Sequence, residues 1–397
     1  MRHSQSTLSC KDVCARVTGI LLPALAVIGW VASAGTVDPL ILVQVLVRAG
    51  AERRSLDAIA LLAENLPSAQ TIRTAIMRLL PRTTAELEPV IVEALHKKLP
   101  KGLNRRPRTM AIDMHNKPYY GDKKTPGTYR GQPKASTKTF FAYATLLVIR
   151  KGQTFTVGLV AIVNGEELPT IIDKLLRQAA AKGLKPRRLL LDRGFYAAKV
   201  MLDLQEKNIP FVMPMIRRGK AGKTKEACTG TAQFFVKGRQ GWATYSWEAR
   251  IRKDGRKGTR LEVTTEVCMT PRQGKDTPLV FACHGMKKTD PKQVAALYRQ
   301  RFRIETSYRQ MHEGLAMTCS KNAVYRLLLV LIAFVMRNLW LWLHWTLFAG
   351  RGKDGQRILR LELMRARTMM HCLVRYLDHK LGISTRIDVP SPAGAAA

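Results

Sequence analysis

Acidic residues are scarce in this chain of 397 residues: 29 Asp and Glu stand against 66 Lys and Arg, a formal net charge of +37. The basic residues run along almost the whole length, which excludes a neutral domain carrying one basic tail. A field of that size repels itself and favours a polyanionic partner, nucleic acid first and an anionic membrane surface second. Cysteine is thin as well. The seven thiols are scattered at 10, 14, 228, 268, 283, 319 and 372, only Cys10 and Cys14 are close, and no second pair completes a zinc site. That pattern points to a reducing cytoplasm, and the charge to the nucleoid within it. Clean membrane spans are also missing. "VTGILLPALAVIGWVASAG" (17–35) is long enough to cross a bilayer, but Pro23 and several glycines interrupt it and it has no small-residue cleavage pattern. "LLLVLIAFVMRNLWLWLHWTLF" (327–348) carries Arg337, Asn338 and His344 mid-run, where lipid makes them expensive. Both read as packed helices, so no membrane partner is expected; membrane association of the first is the alternative.

The hydrophobic content of 46% and the length allow two or three folded domains. Apolar residues recur at helical spacing up to about residue 80, with Ser55 as a helix cap and Pro67-Ser68 as a break and restart. The second helix there, "SAQTIRTAIMRLL", gives the region the order of a DNA-binding helix-turn-helix, a pattern any helical bundle can share. A basic linker, "HKKLPKGLNRRPRT", closes a helical N-terminal region assigned to 1–105. The period then changes. "TMAIDMH", "TFFAYATLLVIR" and "TFTVGLVAIVN" are strand-like, "EELPTIIDKLLRQAAAKG" is a helix ending at Gly183, and "RRLLLD" is a short apolar run suited to a strand covered on both faces. "FYAAKVMLDLQEKN" is a helix and "IPFVMPMI" a further strand. Three strands followed by a β-α-β crossover is the order of an RNase H-like mixed sheet, whose first part is placed at 106–217. "WATYSWEARI", "RLEVTTEVCM" and "PLVFACHG", with "KDGRKG" as a hairpin turn, form a β-rich insertion at 218–287; its Trp242 and Trp247 read as core, with base stacking the alternative. Asp290-Pro291 then starts a helix within a second core part at 288–348. A C-terminal helix over 356–381 and a disordered tail, "SPAGAAA", occupy 349–397. The fold class is therefore α/β: a mixed sheet flanked by helices, interrupted by a β-rich insertion and preceded by an α-helical region.

Three acids sit where chemistry would use them. Asp113 follows the run "MAI", Asp192 ends "RRLLLD" before Arg193-Gly194, and ligands of such sheets bind at strand carboxyl ends. Asp122 in "YYGD" is the rival to Asp113. Glu305 stands in "YRQRFRIETSYRQMH", amid arginines at 299, 301, 303 and 309. On one continuous helix, Tyr298, Arg301, Glu305, Arg309 and His312 would share a face, a stripe that could grip phosphates around a single carboxylate. Two aspartates and a glutamate are hard oxygen ligands suited to two Mg²⁺ or Mn²⁺ ions, which together can hydrolyse a phosphodiester.

That stretch resembles the signature of DDE insertion-sequence transposases, Tyr-x₂-Arg-x₃-Glu-x₆-Lys, with His312 at the lysine position. "AIDMHNKPYYGD" and "LLLDRGFY" resemble the family's two aspartate motifs. The resemblance spans about 105 to 345. It implies an RNase H-like catalytic domain with a strand-rich insertion before the glutamate, and the ~110 residues between Asp192 and Glu305 are too many for a plain loop. It further implies Asp113, Asp192 and Glu305 as catalytic metal ligands, and Tyr298, Arg301, Arg309 and His312 as DNA contacts. Partners implied are double-stranded DNA, both transposon ends and target, and a second copy of the chain when DNA is bound. The activity implied is cleavage at terminal inverted repeats followed by strand transfer. An RNase H-fold nuclease or resolvase without strand transfer, and an inactive DNA-binding descendant, remain open alternatives.

Overall fold

The switch from helical to strand-like spacing near residue 109 marks where a sheet begins. A computed structural model describes residues 7–32, 37–64, 66–150, 153–251, 258–351 and 357–383. The "SPAGAAA" tail lies outside them, as does nearly all of the "KDGRKG" turn. In chain order the elements are helices α1 (Cys10–Ala26), α2 (Pro39–Glu52), α3 (Leu56–Ala60), α4 (Ala69–Leu79) and α5 (Glu88–His96). Strands β1 (Arg108–Pro118), β2 (Tyr129–Lys134), β3 (Thr137–Arg150) and β4 (Gln153–Ile162) follow, then α6 (Leu168–Ala180), β5 (Pro186–Leu191), α7 (Ala198–Glu206) and β6 (Phe211–Pro214). Strands β7 (Gly241–Ile251), β8 (Thr259–Arg272) and β9 (Lys275–His284) lead to α8 (Pro291–Arg299), α9 (Arg303–His312), α10 (Ala323–Leu343) and α11 (Ala366–Leu381). By compactness the chain divides into two units, Leu99–Tyr308 and the combination of Met1–Lys98 with Arg309–Ala397.

The sheet belongs to the first of these units. β3 pairs antiparallel with β1 on one edge and with β2 and then β4 along the other, while β1, β5 and β6 run parallel. The order β4-β3-β1-β5-β6 is that of the expected RNase H-like sheet. The β-rich segment does not stand apart from it: β9 pairs antiparallel with β6, and β8 and β7 follow outward. β2 escapes the sequence pattern because "YRGQPK" holds Gly131 and Pro133 and has no apolar alternation; it survives as an irregular edge segment. β3 and β5 are buried through their apolar runs, as strands covered on both faces must be. α6 packs on β3 and β4, burying Ile171, Ile172 and Leu175. α7 buries Val200, Met201 and Leu204.

The helical unit is organised around α10, which is apolar all round and buried along nearly its whole length, the condition for a central helix. It packs against α1, α2, α5 and α11. Ala323–Phe348 is long and apolar enough to cross a membrane, yet its polar groups have protein partners. Arg337 donates to Gln310 Oε1 at 3.1 Å, Asn338 to the Leu95 carbonyl at 3.4 Å, and Trp340 to the Met364 carbonyl at 2.8 Å. The 17–35 segment is not one helix, since α1 ends at Ala26; residues 33–36 lie outside those described. Ser55 and Ser68 cap α3 and α4. The predicted 356–381 helix starts ten residues later, at Ala366, after a short strand and a 3₁₀ turn. Close approach fixes one position: a Cβ on Gly50 would lie 2.5 Å from the Gly314 carbonyl oxygen.

Candidate active site

Register brings the first two acids together. β1 and β5 are parallel and their last matched pair is Ile112 with Leu191, so the next residues, Asp113 and Asp192, are neighbours across two strands about 4.8 Å apart. Asp113 is not the strand's end, as the sequence suggested; β1 continues to Pro118 against β3, and only the parallel ladder stops. Asp192 leaves β5 and opens a single 3₁₀ turn, Arg193–Phe195.

Glu305 arrives from α9. The expected continuous helix from Pro291 is broken: α8 stops at Arg299, residues Gln300–Phe302 form a 3₁₀ turn, and α9 starts at Arg303. Asp290 caps α8 as predicted. Tyr298, Arg301 and Glu305 stay neighbours across this turn, but burial separates the stripe into an inner part, Tyr298 and Arg301, and an outer part, Glu305 and Arg309. Tyr298 is buried and donates to the Leu191 carbonyl at 3.1 Å. Arg301 is buried too, and its guanidinium lies among the acids: 3.2 Å from Asp113 Oδ2, 3.3 Å from Asp192 Oδ1 and 3.4 Å from Glu305 Oε1. Arg309 is exposed and His312 half-buried on the last turns of α9, which belong to the helical unit. Asp122, the rival acid, is exposed and accepts from the Lys124 backbone N–H in a turn.

Exposure rises across the cluster, from 7% for the Arg301 side chain and 15% for Asp113 to 39% for Asp192 and 56% for Glu305. The site therefore opens on the Asp192–Glu305 side. Burial pushes the Asp113 carboxyl from its ordinary 3.8 to about 6; Arg301 opposes the shift, while Asp192 and Glu305 add to it. Burial also works against the Arg301 charge, yet Tyr298, Asp192 and Asp113 outweigh it and hold the guanidinium above its usual pKa. The carboxylates thus exceed the one cation among them.

Tyr308 is the residue that sequence reasoning missed. Its hydroxyl donates to the Asp113 carbonyl at 3.0 Å, leaving its oxygen to accept from the Thr145 hydroxyl at 2.8 Å. Thr145 is the cross-strand partner of Asp113, so this pair pins the aspartate's backbone from a neighbouring strand and from α9. The available signal was spacing: Tyr308 lies seven residues, two helical turns, beyond Arg301.

Among the described residues, no group of three or more His, Cys, Asp or Glu stands ready to hold a metal as placed. Three carboxylates from separate elements nevertheless share one cation and carry more charge than it cancels, a hard-oxygen set that fits Mg²⁺ or Mn²⁺.

Sheet order and site together define an RNase H-like domain that gathers acids where the parallel ladder of β1 and β5 stops. Residues 106–339, more than half of the chain, match the family described as the transposase DDE domain. The chain belongs to that family. The match is to the family as a whole and does not single out the Tyr-Arg-Glu-Lys group. No curated protein sequence matches. Among solved structures, a piggyBac transposase synaptic complex with hairpin DNA aligns over 98% of this chain and 88% of its own, at 11% identity and a TM-score of 0.49.

Proposed function

We propose that this transposase-family chain binds the terminal inverted repeats of an insertion sequence and catalyses metal-dependent cleavage and strand transfer there. The observation that carries the reading is the convergence of Asp113, Asp192 and Glu305 on one guanidinium beyond the parallel ends of β1 and β5. Those three carboxylates are the groups that would hold the ions. When bound, a pair of Mg²⁺ or Mn²⁺ ions supplies an activated water and stabilises the leaving oxygen at a phosphodiester. The chain's own part is positioning. Tyr308 fixes the Asp113 backbone, and Tyr298 fixes the Leu191 carbonyl next to Asp192. Arg309 and His312, further along the glutamate helix, are the proposed phosphate contacts, and the α3–α4 pair, with Arg73 and Arg78 on α4, is a second candidate DNA surface. The net charge supports tight binding to duplex DNA. A homodimer bound across paired ends is part of the proposal.

The test is cleavage of the element's own end sequences by purified protein. Asp113→Ala, Asp192→Ala and Glu305→Ala should each abolish cleavage while retaining DNA binding, and activity should require Mg²⁺ or Mn²⁺ and vanish in EDTA. Cleavage persisting in EDTA would sink the metal-dependent reading. Cleavage without joining to target DNA would leave a nuclease rather than a transposase.

A further inference from the structure

The guanidinium of Arg301 was expected on a phosphate-facing stripe, and its position needs its own explanation. It contacts one carboxylate from β1, one from the turn after β5 and one from α9. The rings of Tyr298 and Phe302 lie 5.6 and 5.2 Å from its central carbon, and Nε is buried with no hydrogen-bond partner. The three contacts measure 3.2–3.4 Å, longer than the 2.7–2.9 Å of firm charge-assisted pairs. This is one cation shared loosely among three acids. A bidentate clamp on a single acid would be shorter, and a phosphate-binding arginine would stand in solvent.

We infer that Arg301 is the resident counter-ion of the carboxylate cluster, holding Asp113, Asp192 and Glu305 together before a divalent cation enters and competing with that cation for the same oxygens. The inference rests on the proposed metal-site reading of these acids. Three carboxylates gathered without a cation would repel one another, and burial of Asp113 strengthens that repulsion. Long contacts and the open Asp192–Glu305 side let an incoming ion take the oxygens, while the aromatic rings keep the displaced guanidinium within reach. DNA phosphates offer it another anion, so metal and DNA binding become mutually favourable: the metal releases Arg301 to the phosphate, and the phosphate draws Arg301 off the metal's ligands.

The experiment uses the full chain and reads Mn²⁺ affinity by calorimetric titration, with thermal unfolding in EDTA and in Mn²⁺, for wild type, Arg301→Gln and Arg301→Lys. Removing a positive charge 3.2–3.4 Å from the ligand oxygens should tighten Mn²⁺ binding by on the order of ten-fold or more in Arg301→Gln. The same variant should unfold at lower temperature in EDTA and recover in Mn²⁺. Arg301→Lys keeps the charge without the fork, so it should fall between the two in affinity and stay close to wild type in EDTA. It also serves as the test if the glutamine variant does not fold without metal. Equal or weaker Mn²⁺ affinity in both variants overturns the counter-ion role and leaves the metal site standing. No Mn²⁺ binding by any of the three removes the metal-site reading itself.

Discussion

Replacing Asp113 with asparagine should open a stability gap that widens as pH rises. The carboxyl is held at about 6 against an ordinary 3.8, chiefly by burial. Its proton is therefore bound more tightly in the folded state than in the unfolded chain. Stability from this group is fully present below the unfolded value and is lost as pH climbs through the folded one. The full shift corresponds to about 3 kcal/mol, of which about 2 kcal/mol is lost between about pH 4.5 and 7.5. Asparagine does not titrate, so whatever fixed offset it adds is the same at every pH. A folded unit of about 200 residues moves about 2–4 °C in Tm per kcal/mol. In EDTA, Asp113→Asn should therefore gain about 4–8 °C on the wild type across that window. Differential scanning calorimetry of both proteins at matched pH measures it, and acid effects of groups remote from Asp113 cancel in the difference. A gap that stays constant, or narrows with rising pH, refutes the account of Asp113 as a buried carboxyl crowded by like charges.

Tyr308→Phe should cost about 1–3 kcal/mol by taking a buried donor from the Asp113 carbonyl and an acceptor from Thr145; chemical denaturation tests this, and a neutral result would show that the pair does not support the site. Gly50→Ala should lower the unfolding midpoint, because the new Cβ meets a backbone oxygen that cannot swing away; the strain of about 1–3 kcal/mol outweighs the helix-propensity gain of up to about 1 kcal/mol. DNA affinity should fall steeply with salt, and Arg309→Ala should flatten the slope of log K against log salt by about one. An unchanged slope places Arg309 off the DNA.

Much of the site is legible in the sequence alone. The acids announce themselves because each ends or interrupts a run of another character: Asp113 after "MAI", Asp192 after "RRLLL", Glu305 among arginines. The succession of strands and helices along the chain, β2 excepted, followed from local periodicity, and the long gap before Glu305 implied folded structure within it. Three things depended on contacts between residues far apart in the chain. Which residues of β1 and β5 face one another, Ile112 with Leu191 and hence Asp113 beside Asp192, is a register between partners nearly 80 positions apart, and no local pattern encodes it. The attachment of β9 to β6, which makes the insertion part of the central sheet, is a pairing of the same long-range kind. The third is Arg301. Helical periodicity placed it beside Glu305 on a stripe that could grip phosphates, but the fold buries it, where carboxylates supplied by β1 and by the turn after β5 offset the cost of burying a guanidinium. Local propensity cannot anticipate that choice, because the charges that make it favourable are brought to the helix only by the fold.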